Sequence, residues 1–294
     1  MQNVHGILLV IAAMAGFTIE DMFIKQLAAV IPVGQILVIL GLFSAMAFAV
    51  MSWTKRQRLS ARAAWRWPFV MRATAEAVAA MSFATSLSLV DISVVAAVFQ
   101  TTPLVITMGA ALFLGENVGW RRWSAIALGF AGVLMIIRPG LDGFEPTVLL
   151  VLVSVAGVAT RDLITRRMDV AVSSTVVSFQ GFAAIVPAGL VLLFITGNTP
   201  QAMSPVMWGM MLGAILFSVL AYYAIVHATR IADASTITPF RYTRLLFSLL
   251  VGIFVFHERP DVMTLAGAAL IIGSGLYTFL REQRLARRER RGVG

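Results

Sequence analysis

The sequence predicts an all-α integral membrane protein of ten transmembrane helices, arranged as two inverted-topology repeats of five. Three observations predict it. Of 294 residues, 59% are hydrophobic and mean hydropathy is +0.89, above the roughly 45–50% apolar content of soluble domains. Apolar runs recur from Ile7 to Leu280 with only short polar breaks. The second half of the chain also repeats features of the first at a nearly constant offset.

Each run is about the ~20 residues that a helix needs to cross a bilayer. None shows the period-two alternation of a barrel strand, and lipid admits no other spanning structure. The expected spans are 5–24, 33–53, 68–88, 92–113, 121–137, 146–165, 174–195, 206–227, 235–256 and 262–280. The first lacks a basic leading region and runs into Glu20 and Asp21, so it reads as a span and not a cleaved signal. The expected organisation is a first repeat over 1–138, a second over 139–280, and a basic tail over 281–294.

Formal net charge is +9, and its placement speaks for topology instead of nucleic-acid binding. With the amino terminus inside, the cytoplasmic loops and tail hold Lys55, Arg56, Arg58, Arg62, Arg66, Arg121, Arg122, Arg161, Arg166, Arg167, Arg230, Arg281, Arg284, Arg287, Arg288, Arg290 and Arg291. The other side holds only Lys25, Arg138 and Arg259, while Arg72, Arg241 and Arg244 fall within spans. This is the positive-inside bias. It places both termini in the cytoplasm and the protein in a bacterial inner membrane. The tail reads as a topological anchor, with anionic-lipid binding as the sharper alternative. Trp53, Trp65 and Trp67 suit an interfacial belt. There is no cysteine, which excludes disulfides and thiolate chemistry.

The repeat is visible in ordered matches. Asp91 to Glu116 closes the fourth span and Asp233 to Glu258 the ninth, both over 25 residues. In the following spans Ala125, Leu128, Ala131 and Gly132 align with Gly267, Leu270, Gly273 and Ser274. In the first and sixth spans Ala15, Gly16, Asp21 and Lys25 align with Ala156, Gly157, Asp162 and Arg166. Five is odd, so the second half enters the membrane from the opposite face, and such folds hold substrate near the midplane between the halves. Small residues four apart (Ala12 and Gly16, Ala125 and Gly129, Gly209 and Gly213, Ala269 and Gly273) suit close helix packing.

Gln100-Thr101-Thr102-Pro103, Phe113-Leu114-Gly115-Glu116, Trp123-Ser124-Ala125 and Gly129-Phe130-Ala131-Gly132 resemble the first repeat of EamA-type members of the drug/metabolite transporter superfamily. Pro239-Phe240-Arg241-Tyr242-Thr243, Phe256-His257-Glu258, Pro260-Asp261, Gly267-Ala268-Ala269-Leu270 and Gly275-Leu276-Tyr277 resemble the second. The resemblance covers essentially the whole chain and is strongest at spans four, five, nine and ten. It implies ten helices and secondary transport of small metabolites, often efflux. Within the superfamily the chain looks most like the YddG-type branch, which implies export of amino acids, aromatic ones among them. One departure stands out. The family often places proline thirteen residues before each Glu; Pro103 fits, but Leu245 occupies the second position and Pro239 lies further back.

Charges within spans cost roughly 2.5–3.5 kcal/mol each and mark function by default. Arg241 and Arg244 share a helix face, roughly 10 and 15 Å from the cytoplasmic end at 1.5 Å per residue. Glu76 lies one turn after Arg72, and Gln100 occupies the position equivalent to Tyr242. Two readings are open: Glu76 pairs with Arg72, Arg241 or Arg244 and knits helices together, or an arginine is left to grip a substrate carboxylate bidentately. Phe99 and Tyr242, with Tyr222 and Tyr223, offer rings to a substrate or to ordinary packing. The candidate substrate-binding residues are therefore Glu76, Phe99, Gln100, Arg241, Tyr242 and Arg244. Asp21 with Lys25, and Asp162 with Arg166, are spaced to pair along one helix, or to gate between halves. Pro103 and Pro239 break helical hydrogen bonding and are candidate hinges, with Thr101, Thr102, Thr236 and Thr238 near enough to satisfy freed groups. Glu116 and Glu258 read as loop caps.

No phosphate-binding loop is present, and the only lysines are Lys25 and Lys55. His5, His227 and His257 lack metal-ligand spacing, and Gly273-Ser274-Gly275 lies inside a helix. The chain is therefore expected to need no cofactor and no metal, and to be no enzyme. The expected partners are a small-molecule substrate of amino-acid type and membrane lipids, with no nucleic acid, and the expected state is a monomer. A secondary exporter leads; a channel, a lipid scramblase and a membrane-embedded enzyme are the alternatives.

Overall fold

The structure is a computed structural model. It describes residues 2–57, 59, 65–116, 119–139, 145–166, 172–232 and 237–292, with side chains 2, 3, 166, 229, 230, 238 and 282–292 outside the description. Every regular element among these residues is helical. In chain order they are α1 (Gln2–Ala28), α2 (Val33–Thr54), α3 (Trp67–Leu89), α4 (Ile92–Phe99), α5 (Thr102–Phe113), α6 (Trp120–Ile137), α7 (Leu149–Arg166), α8 (Ser174–Thr196), α9 (Pro205–Ile231), α10 (Thr243–Val255) and α11 (Val262–Gly292). Single-turn 3₁₀ segments, Pro146–Val148 and Thr238–Tyr242, lead into α7 and α10.

Eight of these segments are long and apolar enough to cross a membrane: Val4–Ala28, Val33–Thr54, Ile92–Phe113, Trp120–Ile137, Pro146–Thr165, Ser174–Thr196, Pro205–Ala228 and Val262–Arg281. This is a multi-pass membrane protein. The expected spans 68–88 and 235–256 are not among the eight. The first is the 23-residue α3, which carries Arg72 and Glu76. The second is divided between a 3₁₀ turn and the 13-residue α10.

The fourth span is also divided. α4 ends at Phe99 and α5 starts at Thr102, with Pro103 in its first turn. Proline lacks the N–H that would continue the ladder. The Thr101 and Thr102 hydroxyls donate back to the Val98 and Phe99 carbonyls at 2.7 and 2.6 Å, so the break leaves those groups satisfied, as expected. Thr243 does the same for Phe240 at 2.6 Å on the Pro239 side. Thr236 and the Thr238 side chain lie outside the described residues.

The helices pack chiefly across the halves. α2 lies against α8, α1 against α9, α3 against α7, and α6 against α11. Glycine makes these approaches possible. A Cβ on Gly34 would sit 2.6 Å from the Gly189 carbonyl oxygen, and one on Gly189 would meet the Gly34 carbonyl at the same distance. Gly132 and Gly267 face each other in the same way, at 2.7 and 2.6 Å. Further along, Gly41 meets Phe182 while Gly129 meets Ser274, so both pairs run antiparallel. Gly16 on α1 meets Ala221 on α9, and Gly157 on α7 meets Ala79 on α3. Those two contacts occupy matching positions in the repeat.

The spacing of small residues overreached at two positions. A Cβ on Gly209 or Gly273 would meet nothing within 4 Å, because those faces of α9 and α11 point away from their neighbours. Overpacking a core costs about 1–3 kcal/mol. Gly34→Leu is therefore expected to lower the thermal midpoint in detergent, while Gly209→Leu leaves it unchanged; equal midpoints would contradict the packing.

Candidate functional site

Two charge clusters occupy the seam between the halves. The first joins α1, α3, α4 and α10. Asp21 is 3% exposed, and its Oδ2 accepts a hydrogen bond from Arg244 Nη2 at 2.7 Å. The Arg244 guanidinium also lies 5.1–5.4 Å from the ring centres of Phe17, Phe83 and Phe99. Aromatic faces stabilise a cation at this range. Phe83 and Phe99 meet edge to face at 4.9 Å. This is an arginine held by one carboxylate and three rings, the carboxylate 223 residues away in sequence.

The second cluster joins α3 and α7. Arg161 donates to Glu76 Oε1 at 2.7 Å through Nη1, and to Asp162 Oδ1 at 2.8 Å through Nε. Arg72 approaches Glu76 Oε2 at 3.4 Å, too poorly aligned to leave that oxygen a hydrogen bond. Arg72 also donates to Thr165 Oγ1 at 3.1 Å and to the Val177 carbonyl at 3.5 Å. On the other side of the repeat, Glu20 is hydrogen-bonded to Ser218. Glu20 aligns with Arg161 and Ser218 with Glu76, so one contact recurs in both halves with different chemistry.

Arg241 lies beside the second cluster. Asp162 and Arg161 are the charges that act on it. Arg241 is an exposed residue, although the bundle crowds around its guanidinium. Among the described residues no carboxylate lies within ion-pair distance of it. Its own carbonyl accepts a 3.2 Å hydrogen bond from Gln100 Nε2. Gln100 thereby ties the break in the fourth span to the start of the ninth.

Several expected site residues take other roles. Tyr242 packs its hydroxyl end against Gly275 of α11 and is 9% exposed. Its ring is part of the helix packing and does not line the seam. Tyr222 meets Phe48 and Phe182 at 5.7 Å. Phe48 and Tyr222 border an 80 Å³ cavity between α2, α8 and α9 that reaches Lys55 and His227.

Asp21 and Lys25 do not pair along α1: Asp21 goes to Arg244, and Lys25 lies 3.8 Å from Glu258 Oε1. Asp162 takes Arg161 as its partner, and the Arg166 side chain lies outside the described residues. Arg161, one of the arginines of the positive-inside count, lies in α7 and belongs to the second cluster. Spacing along one helix identifies residues that share a face. It does not reveal that a better partner stands across the seam.

At the far end of the bundle, Glu258 serves as a cap, as expected. Its carboxylate accepts from the Ile92 N–H at 2.7 Å, the Ser93 N–H at 3.1 Å and the Ser93 hydroxyl at 2.7 Å. These are the orphan donors at the start of α4, where a negative charge is favourable. Lys25 donates to the Val90 and Leu87 carbonyls at 2.5 and 3.2 Å, and the α3–α4 turn is clasped from both sides. Glu258→Gln is expected to cost about 1.5–3 kcal/mol, the range for hydrogen bonds to a charged group. Thermal unfolding in detergent tests it, and an unchanged midpoint would refute the clasp.

Nearby, Asp261 accepts from Arg138 and from the Thr264 N–H that opens α11. These bonds hold its carboxyl down to about 2. A depressed carboxyl stabilises above its unfolded pKa, here about 3.9, and the contribution is lost as pH falls through about 2.

Comparison with known proteins agrees with this architecture. The chain resembles an S-adenosylmethionine uptake transporter of Rickettsia bellii at 28% identity, over 69% of each chain. It resembles a riboflavin transporter of Vibrio cholerae at 31%, over 66% of this chain and 64% of that one. A riboflavin transporter of Rhizobium johnstonii matches at 29%, over 80% of this chain and 77% of its own. The cargoes in these names are not those of the amino acid exporter branch that the sequence resembled. A solved crystal structure shares the fold with a TM-score of 0.62, covering 93% of this chain and 98% of its own at 17% identity. The family profile matches twice, over residues 4–138 and 145–280. The chain belongs to the EamA-like transporter family.

Proposed function

We propose that this protein is a secondary carrier in the bacterial inner membrane, built of ten spans in two inverted halves, that moves a small organic metabolite bearing a carboxylate and an apolar ring. Arg241, which has no carboxylate within ion-pair distance among the described residues, carries this reading. An arginine beside a charge cluster, with no carboxylate partner among the described residues, suits an anionic group that arrives with the substrate. The rings of Phe17, Phe83 and Phe99 lie around the neighbouring Arg244 and favour a substrate with a flat or apolar body. Arg244, already held by Asp21, positions those rings; Glu76 holds Arg161 in place; Gln100 fixes the backbone under Arg241.

The antiparallel packing of α2 on α8 and α6 on α11 is what an inverted repeat requires of equivalent helices, and supports alternating access about the seam. The breaks at Pro103 and Pro239 sit where the two halves meet and serve as hinges. The bias of basic residues toward one set of loops supports an orientation with both termini in the cytoplasm.

Amino acids belong to the proposed substrate class. So does S-adenosylmethionine, an amino acid bearing a purine ring. Riboflavin supplies the flat ring but no carboxylate.

Counterflow in proteoliposomes tests the reading. Vesicles preloaded with an unlabelled aromatic amino acid, S-adenosylmethionine or riboflavin receive the labelled form outside. A carrier shows uptake accelerated by internal substrate, strongest for the two carboxylates. Equal uptake from empty and loaded vesicles would indicate a channel and overturn the proposal. A riboflavin response alone would overturn the carboxylate assignment.

A further inference from the structure

We propose that the groove between α6 and α11 is a binding site for one anionic glycerophospholipid of the cytoplasmic leaflet. The placement in that leaflet rests on the orientation proposed above. The groove holds about 320 Å³ and is lined by none of the residues of the two charge clusters. Its floor is shallow-chained: Ala125 and Ala269, with Gly273, whose missing side chain leaves open space. Leu128 and Leu270 form apolar walls further in. From Trp120 to Leu128 is about 12 Å at 1.5 Å per residue, enough for the upper part of an acyl chain.

The two helices run antiparallel, so their polar residues gather at one mouth. Trp120, Arg121 and Ser124 come from the start of α6, and Ser274 and Tyr277 from the latter part of α11. Arg281 follows Tyr277 by one turn on the same face. The Arg121 guanidinium rests 5.3 Å from the Trp120 ring centre, which holds the cation at the mouth instead of releasing it to water. Tryptophan and tyrosine at this level match the headgroup region. An apolar slot with Arg121 at its mouth, and Arg281 one turn beyond Tyr277 in sequence, complements a lipid with a negatively charged headgroup. A second copy of the chain fits less well, since it would bring the same arginines together.

Native mass spectrometry of the detergent-purified protein tests this with phosphatidylglycerol and phosphatidylcholine of matched chains. The wild type is expected to retain phosphatidylglycerol preferentially. Gly273→Leu fills the slot and should reduce retention of both lipids at least about fivefold. The double variant Arg121→Gln, Arg281→Gln should lose about fivefold for phosphatidylglycerol alone, the effect of about one surface arginine or more. Gly209→Leu, at an equally open glycine elsewhere, should match wild type. Wild-type retention by Gly273→Leu, equal retention of the two lipids by the native protein, or a dimer that Gly273→Leu dissolves would each overturn the assignment.

Discussion

Replacing Arg244 with leucine is expected to destabilise the fold by about 3–5 kcal/mol, because Asp21 would remain as a buried charge without a counter-ion. Asp21 is 3% exposed and its hydrogen bond to Arg244 is 2.7 Å long. The three rings around the guanidinium offer no acceptor to replace it. Thermal unfolding in detergent and the monodisperse yield report the loss. The double variant Asp21→Asn, Arg244→Leu removes both charges and is expected to recover most of the stability, since a buried pair contributes little against a neutral replacement. Transport should not recover with it, because the rings would lose the cation they surround. Full recovery of flux in the double variant would reduce the pair to a structural tie.

Arg241→Gln is expected to behave in the opposite way. Its guanidinium has no carboxylate partner among the described residues, so the midpoint should stay within about 0.5 kcal/mol, as for substitutions away from buried networks. Transport of a carboxylate substrate should weaken by about 10–100-fold in KM, the value of one or two charge-assisted hydrogen bonds at about 1.5–3 kcal/mol in all. Arg241→Lys keeps the charge but loses the planar fork and should recover only part of the affinity. Unchanged KM in Arg241→Gln would remove this residue from the site, and a large fall in stability would make it a structural cation. Arg241 lies in the 3₁₀ turn and Arg244 at the start of α10, and the paired experiments separate their roles.

The helical spans were legible in the sequence because lipid imposes a simple rule on composition. Their expected bounds agree with the observed helices to within a few residues for most of the chain, as at 33–53 against Val33–Thr54 and 174–195 against Ser174–Thr196. α3, which carries Arg72 and Glu76, and the segment 235–256, which is split by a 3₁₀ turn, do not follow that rule as simply. The repeat was legible too. Gly16 and Gly157 were matched by offset alone, and both pack on an alanine at the corresponding place in the other half. The break after Gln100 followed from Pro103, and the capping role of Glu258 from its place in a short loop.

Partner choice was not legible. Asp21 and Lys25 are spaced to pair along a helix, and Arg161 counts with the cytoplasmic charges. Both outcomes depend on what stands on the opposing helix at a distance of a few ångströms, often more than a hundred residues away in sequence. The same holds for Tyr242, which has the chemistry to meet a substrate but packs on Gly275, and for Gly273, whose spacing suits a helix contact that its orientation denies. Hydropathy, charge placement and periodicity act along one chain and so determined the membrane class, the likeness of the halves and the faces of each helix. Which arginine is spent on a carboxylate of the protein and which stays open is a question of distances between helices, and only the tertiary structure decided it.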